Sequence, residues 1–258
     1  MPFEDDFCDI IRKARSGHGL SIEAVAAAAG IADLRLQALE TGQLPALGEV
    51  ERLAQVLQLR QAPLRDIATG RAEPPAVSPP RALAVTPVFA ADVGAFAYAV
   101  RSAHGRIIVD CGGGVPQLLH ALGGVAEAVL LTHGHHDHVA GLGGIALGVP
   151  VFAHPDLSRR IPGARPLADG ETVFGLTATY APGHSPDMLA FHAGGVAFVG
   201  DTIFAGSLGR SSSSVAYPVL LESARRILAL APETVVYCGH GPATTVAWER
   251  VHNAFPVG

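Results

Sequence analysis

The chain has 258 residues, 49% of them hydrophobic and 16% charged, with a formal net charge of −5. That composition supports a sizeable core and argues against disorder, and the negative balance opposes bulk attraction to nucleic acid or to an anionic membrane. Cys8, Cys111 and Cys238 form no CxxC pair, the acidic start MPFEDDFCDI does not read as a secretory leader, and no apolar run approaches ~18 residues, so a cytoplasmic protein with no membrane partner is expected.

In chain order, residues 1–69 place apolar side chains at helical spacing: Ile10, Ile11 and Ala14; Val25 and Ala28; Leu34, Leu36 and Leu39; Val50, Leu53, Ala54 and Leu57. Ser21 ahead of Glu23 reads as a helix start, Glu40 ahead of Gly42 as a stop, and Gly30 separates two short helices. Residues 70–81, GRAEPPAVSPPR, hold four prolines and read as an extended linker. From Ala82 to Gly258 the texture changes to short apolar runs at 106–110, 125–132, 149–153, 196–201 and 234–238, with helix-like stretches at 115–122 and 218–230. Runs of that length suit buried strands, so an all-α domain (1–69) should precede an α/β domain (82–258).

The chemistry is concentrated in THGHHDHVAG, residues 132–141, just after an expected strand. His133 and His135 are two apart, so in extended backbone both imidazoles face the same side and can hold one cation. Asp137 and His138 follow, where a turn can aim them at a second cation ~3.5–4 Å away. Such a centre needs further ligands, and His184 in APGHSP, Asp201 at the end of VAFVGD and His240 in YCGHGP each stand where an apolar run stops beside a glycine. Two divalent cations are therefore expected. Zinc is the first choice, although His/Asp sites also accept iron and manganese.

The ordered series HxHxDH, PGHS, GDTIF and GHGPAT resembles the metallo-β-lactamase superfamily, and within it the glyoxalase II-like branch, over residues 82–258. The resemblance implies an αββα sandwich. It assigns His133, His135 and His184 to one metal and Asp137, His138 and His240 to a second, with Asp201 bridging, and it makes Asp110 of IIVD a supporting aspartate. It also implies catalysis by a water activated between the metals, with Asp137 and Asp110 as the catalytic carboxylates, acting on a small thioester, lactone or activated ester. Persulfide dioxygenases share these motifs but use one iron at the equivalents of His133, His184 and Asp201; retention of all the second-site ligands favours hydrolysis. Ser211 and Ser212 follow Arg210 where the family often has Thr-Asp, and Asp187 stands where a Gly is frequent. Arg210 is the candidate to meet an acidic substrate group or, alternatively, to tether its loop. Cys111 and Cys238 should be small buried hydrophobes, Gly112–Gly114 a tight turn, and His136 should point away from the metals.

Residues 7–60 resemble a Cro/repressor-type helix-turn-helix domain with residues 32–39 as the recognition helix, offering Arg35 and Gln37 as base readers. Residues 1–70 carry 7 basic and 10 acidic side chains, which disfavours DNA as a partner. A docking or homodimerisation module is the favoured reading, and a metabolite-sensing transcriptional regulator the alternative.

Overall fold

The computed structural model describes residues 2–80 and 83–258; Ala82, the expected domain start, lies outside the described residues with Arg81. The N-terminal module is five helices: α1 (Phe7–Gly17), α2 (Ile22–Ala29), α3 (Asp33–Glu40), α4 (Leu47–Val56) and α5 (Gln61–Ala68). Asp6 caps α1 by accepting the Cys8 N–H, the Ser21 side chain accepts the Ala24 N–H, and Gly30 closes α2 at φ 64. The sequence reading misses α5. Pro63 looks like a breaker there, but it sits in the first turn, where backbone N–H groups have no helical partner to lose. Residues 71–80 carry neither helix nor strand.

The second part is built on two six-stranded sheets. One runs in chain order, β1 (Ala84–Ala90), β2 (Ala95–Ser102), β3 (Gly105–Val109), β4 (Ala128–Leu130), β5 (Val151–Ala153) and β6 (Arg165–Pro166). Its first three strands pair antiparallel and the remainder parallel. The other contains β7 (Thr172–Val173), β8 (Leu176–Tyr180), β9 (Leu189–Ala193) and β10 (Val196–Gly200), then β13 (Val235–Cys238) and β14 (Thr244–Thr245), in spatial order β14-β13-β10-β9-β8-β7. A small hairpin, β11 (Ile203–Phe204) with β12 (Ser207–Leu208), lies between β10 and β13 in sequence. The helices of this part are α6 (Val115–Ala121), α7 (His136–Val139), α8 (Pro155–Ser158), α9 (Tyr217–Leu228) and α10 (Val246–His252). Hairpin β1–β2 and strand β9 escape the sequence reading. The strand expected over 125–132 shortens to Ala128–Leu130, because beyond it the Thr132 N–H leaves the ladder for the Asp110 carboxylate at 2.7 Å.

Strand alternation sets the layers. On β2, Phe96, Tyr98 and Val100 point into the space between the sheets with Val109, Phe191, Phe198 and Tyr237. Ala97 and Ala99 point outward, to the side where Ile108, Val129 and Leu131 meet Leu118 of α6. On the far side, Ala197 and Val199 of β10 and Val236 of β13 face Leu220, Ala224 and Ile227 of α9. Helix, sheet, sheet and helix follow in order, the αββα sandwich that the sequence implies.

The N-terminal module joins this outer layer. Ile10, Ile11, Ala14, Leu53 and Leu64 belong to the same continuous core as Leu220, Val246 and Phe255. Gly17 makes the approach possible, since a Cβ there would stand 2.5 Å from the Tyr217 ring. The Arg60 N–H donates to Ala254 O at 2.8 Å, and its guanidinium to Arg250 O at 3.0 Å and Asn253 O at 3.1 Å.

Candidate metal centre

The seven nominated ligands arrive from five strand ends or turns and meet at one edge of the sandwich. His133 and His135 leave β4 and lead into α7, whose first turn carries Asp137 and His138. Gly112 lets the loop after β3 close over that turn; a Cβ there would stand 1.6 Å from Asp137 O. Cys111 secures the contact, receiving the Gly141 N–H at 2.7 Å and donating its own N–H to His138 O at 2.8 Å. His184 follows β8, Asp201 follows β10 and His240 follows β13.

The ligand atoms fall into two groups. His135 Nδ1 lies 3.0 Å from His133 Nε2 and 2.9 Å from His184 Nε2. Asp137 Oδ2 lies 3.2 Å from His240 Nε2 and 3.8 Å from His138 Nε2. Asp201 joins them: Oδ1 is 3.3 Å from His138 Nε2, while Oδ2 is 3.5 Å from His184 Nε2 and 3.4 Å from His240 Nε2. Ligand-type atoms of His133, His135 and His184, of His133, His138 and Asp201, and of Asp137, His138 and His240 each lie within 4.8 Å of one another.

A second ring of contacts fixes which nitrogen faces inward. His138 Nδ1 donates to Asp110 Oδ2 at 2.8 Å, and Thr132 gives Asp110 its N–H at 2.7 Å and its hydroxyl at 2.8 Å. The Thr132 hydroxyl is also 3.1 Å from His133 Nδ1. His184 Nδ1 donates to Arg210 O at 2.8 Å, and His240 Nδ1 to Gly94 O at 2.9 Å. Each outer bond leaves the other ring nitrogen free as a ligand. Sequence reasoning missed Thr132 and Gly94; a polar residue ending an apolar run is the one available signal for Thr132.

The donor set fits cations. His138 Nε2 and Asp201 Oδ1 are buried without a hydrogen-bond partner, which is costly unless something else occupies the space between them. Three imidazole nitrogens facing each other at about 3 Å cannot all be satisfied by ring protons, and converging lone pairs are what a metal requires. A Cβ at Gly239 would stand 2.2 Å from Asp201 Oδ1, so the glycine keeps that space open.

Electrostatics divides the histidines. Burial holds His133 well below its ordinary pKa and His184 below it. Burial also opposes protonation of His240, yet bonds to Asp137 and Asp201 lift it to about 10. His138 is likewise opposed by burial and driven well upward by Asp110 and Asp201. The His240 bond pulls Asp137 down to about 2. Divalent cations would displace the protons that His138 and His240 hold against these carboxylates.

The other nominated residues lie outside the ligand groups. Asp110 lies behind His138, 1% exposed, and reaches the centre through that imidazole and Thr132. Arg210 has an exposed side chain and serves the site through its carbonyl. Asp187 is buried and pairs with Arg160 and the Ser185 hydroxyl beside Gly134. Cys111 and Cys238 are buried, and exposed His136 joins no ligand group. Arg35 is engaged within its own module. Its guanidinium grips Glu49 at 2.7 and 2.8 Å, Leu44 O at 3.0 Å and the Gln43 side chain. Gln37 stays exposed, as do the apolar side chains of Leu34, Leu44 and Leu47.

Comparison with known proteins supplies the family. The family model described as the metallo-beta-lactamase superfamily matches residues 91–167 and 152–240. The chain belongs to that superfamily. A helix-turn-helix family model matches residues 11–60. A hydroxyacylglutathione hydrolase of Xanthomonas euvesicatoria is 38% identical over 156 residues, covering 56% of this chain and 60% of that protein. The chain thus spans about three-fifths of the length of the curated superfamily relatives it matches. Among solved superfamily structures, TTHA1623 in a di-iron-bound form is 34% identical with a TM-score of 0.58, over 67% of this chain and 99% of that one. The BLEG-1 B3 metallo-beta-lactamase is 25% identical with a TM-score of 0.61, over 68% of this chain and 100% of the other. Among the described residues no helix is long and apolar enough to cross a membrane.

Proposed function

We propose that this chain is a dinuclear metal-dependent hydrolase of small thioesters or similarly activated acyl compounds. The observation that carries the reading is the pair of ligand groups joined through the two oxygens of Asp201. Zinc is the proposed metal, and the di-iron form of a 34%-identical structure supports iron as the competitor. Bound divalent cations supply Lewis acidity, lowering the pKa of water towards neutrality and polarising a carbonyl.

The protein's own part is positional. Asp110, Thr132, Gly94 and the Arg210 carbonyl hold four imidazoles in fixed orientation, so little rearrangement is needed on binding. Asp137, ionised and 29% exposed at the mouth, is placed to take a proton from attacking water and pass it to the departing thiolate. Completeness of the Asp137, His138 and His240 group favours hydrolysis over a mononuclear iron dioxygenase. Arg35's internal ion pair and the exposed leucines favour an accessory helical module over a DNA reader.

Metal analysis of purified protein, followed by a screen of thioesters, lactones and persulfides, tests this. Two equivalents of metal and thioester turnover are expected. His135→Ala should lose at least one equivalent and more than 100-fold in kcat/KM. Full activity in that variant would refute the assignment.

A further inference from the structure

On the His240 side of the centre, the N-terminal module packs against the segment that carries this ligand. Gly241 lies at φ 71 with its open face against Glu4: a Cβ there would stand 2.9 Å from Glu4 N and 3.0 Å from Glu4 Cβ. The neighbours of Glu4 pin it in place. The Phe3 ring packs 5.9 Å from Trp248, and buried Asp5 accepts from Ser207 Oγ at 2.6 Å and pairs with Lys13. Lys13 also donates to Leu208 O at 2.9 Å and sits 4.6 Å over the Phe204 ring, which in turn stands 5.5 Å from the His240 imidazole.

The charges here are lopsided. Lys13, the chain's single lysine, is neutralised by Asp5, whereas Glu4 is exposed and forms no ion pair among the described residues. The approach of Glu4 N and Cβ to Gly241, the residue after His240, sets this side chain on the His240 side of the centre. Beyond His240, the β1–β2 turn that receives its Nδ1 on Gly94 carries a second exposed carboxylate, Asp92. Exposed Arg210 lies on the opposite, His184 side.

We infer that Glu4 is a specificity-determining residue, selecting acyl thioesters whose thiol portion carries a cationic nitrogen over those whose thiol portion carries carboxylates. This rests on the hydrolase reading and deepens it. A carboxylate within about 8 Å of a substrate charge, in largely aqueous surroundings, changes relative affinity about three- to fivefold.

The test uses the full chain as wild type, Glu4→Gln and Glu4→Lys, each checked for metal content. Its first arm compares kcat/KM for acetylthiocholine, S-acetyl-2-mercaptoethanol and S-acetylmercaptoacetate. Its second arm measures binding of thiocholine and mercaptoacetate to the cobalt-loaded protein through the thiolate-to-cobalt absorption band. The cation-to-anion ratio should exceed one in wild type, fall about three- to fivefold in Glu4→Gln and fall further in Glu4→Lys, in both arms. Equal ratios in all three proteins would overturn the inference. Wild-type protein that hydrolyses none of the thioesters overturns the hydrolase reading instead, and the cobalt arm still decides the role of Glu4.

Discussion

Asp110 accepts three hydrogen bonds, from the Thr132 N–H, the Thr132 hydroxyl and His138 Nδ1, while its backbone stands at φ 58. Aspartate and asparagine tolerate that left-handed conformation better than other side chains do. Asp110→Asn therefore keeps the turn and one acceptor for Thr132, but it removes the negative charge behind the imidazole and sets an amide N–H against His138 Nδ1. Metal affinity measured by chelator competition is expected to fall about 10- to 100-fold, with the far-ultraviolet circular dichroism spectrum unchanged. Loss of the folded spectrum would mean that Asp110 holds the loop rather than tuning the ligand. Arg35 gives the converse lesson. Its residue type suggested recognition, yet Glu49, held down to about 2 by that arginine, shows that its charge is committed internally.

Among the elements, α10 and the β11–β12 hairpin are tied by one buried carboxylate. Glu249 is fully buried, accepts the Gly206 N–H with both oxygens at 3.2 Å and the Asn253 amide at 2.7 Å, and is pushed by burial to about 7. Between its ordinary 4.5 and about 7 the folded chain keeps a proton that the unfolded chain has released. Stability from this group is thus complete below 4.5, declines as pH rises towards 7, and is flat above, a total of up to about 3 kcal/mol. Urea midpoints between pH 5 and 8 should slope downward, and Glu249→Gln should flatten that slope; an unchanged slope would point to another group. Elements also mark where the sequence was legible. The buried runs of β3, β10 and β13 and the ligands just beyond β4 declare themselves, because local periodicity and a compact HxHxDH series need no distant partner. Strand β1 does not, since an edge strand that is mostly solvent-facing carries no clean alternation. Nor do the Asp187–Arg160 pair or the Glu4 contact, each made by residues whose proximity only the assembled sandwich creates.

At the scale of the whole molecule, the helix-turn-helix module is not hung from a free tether. Its buried leucines continue into the layer formed by α9 and α10, and Gly17 meets Tyr217 at van der Waals range. One cooperative unfolding transition is expected in calorimetry of the full chain, with calorimetric and van't Hoff enthalpies in agreement. Two resolved transitions would show that the helices and the sandwich are stable independently. The acidic balance of residues 1–70 suits a module attached to its own chain more than one attached to nucleic acid.

The seating of Glu4 against Gly241 divides labour along the polypeptide. The metal-ligand groups are encoded in the downstream segment, whereas the residue seated against Gly241 is encoded upstream of every one of them. Recombination that exchanges only the short segment ahead of α1 between two such chains would therefore hand the recipient a new molecular preference while leaving the ligand set untouched.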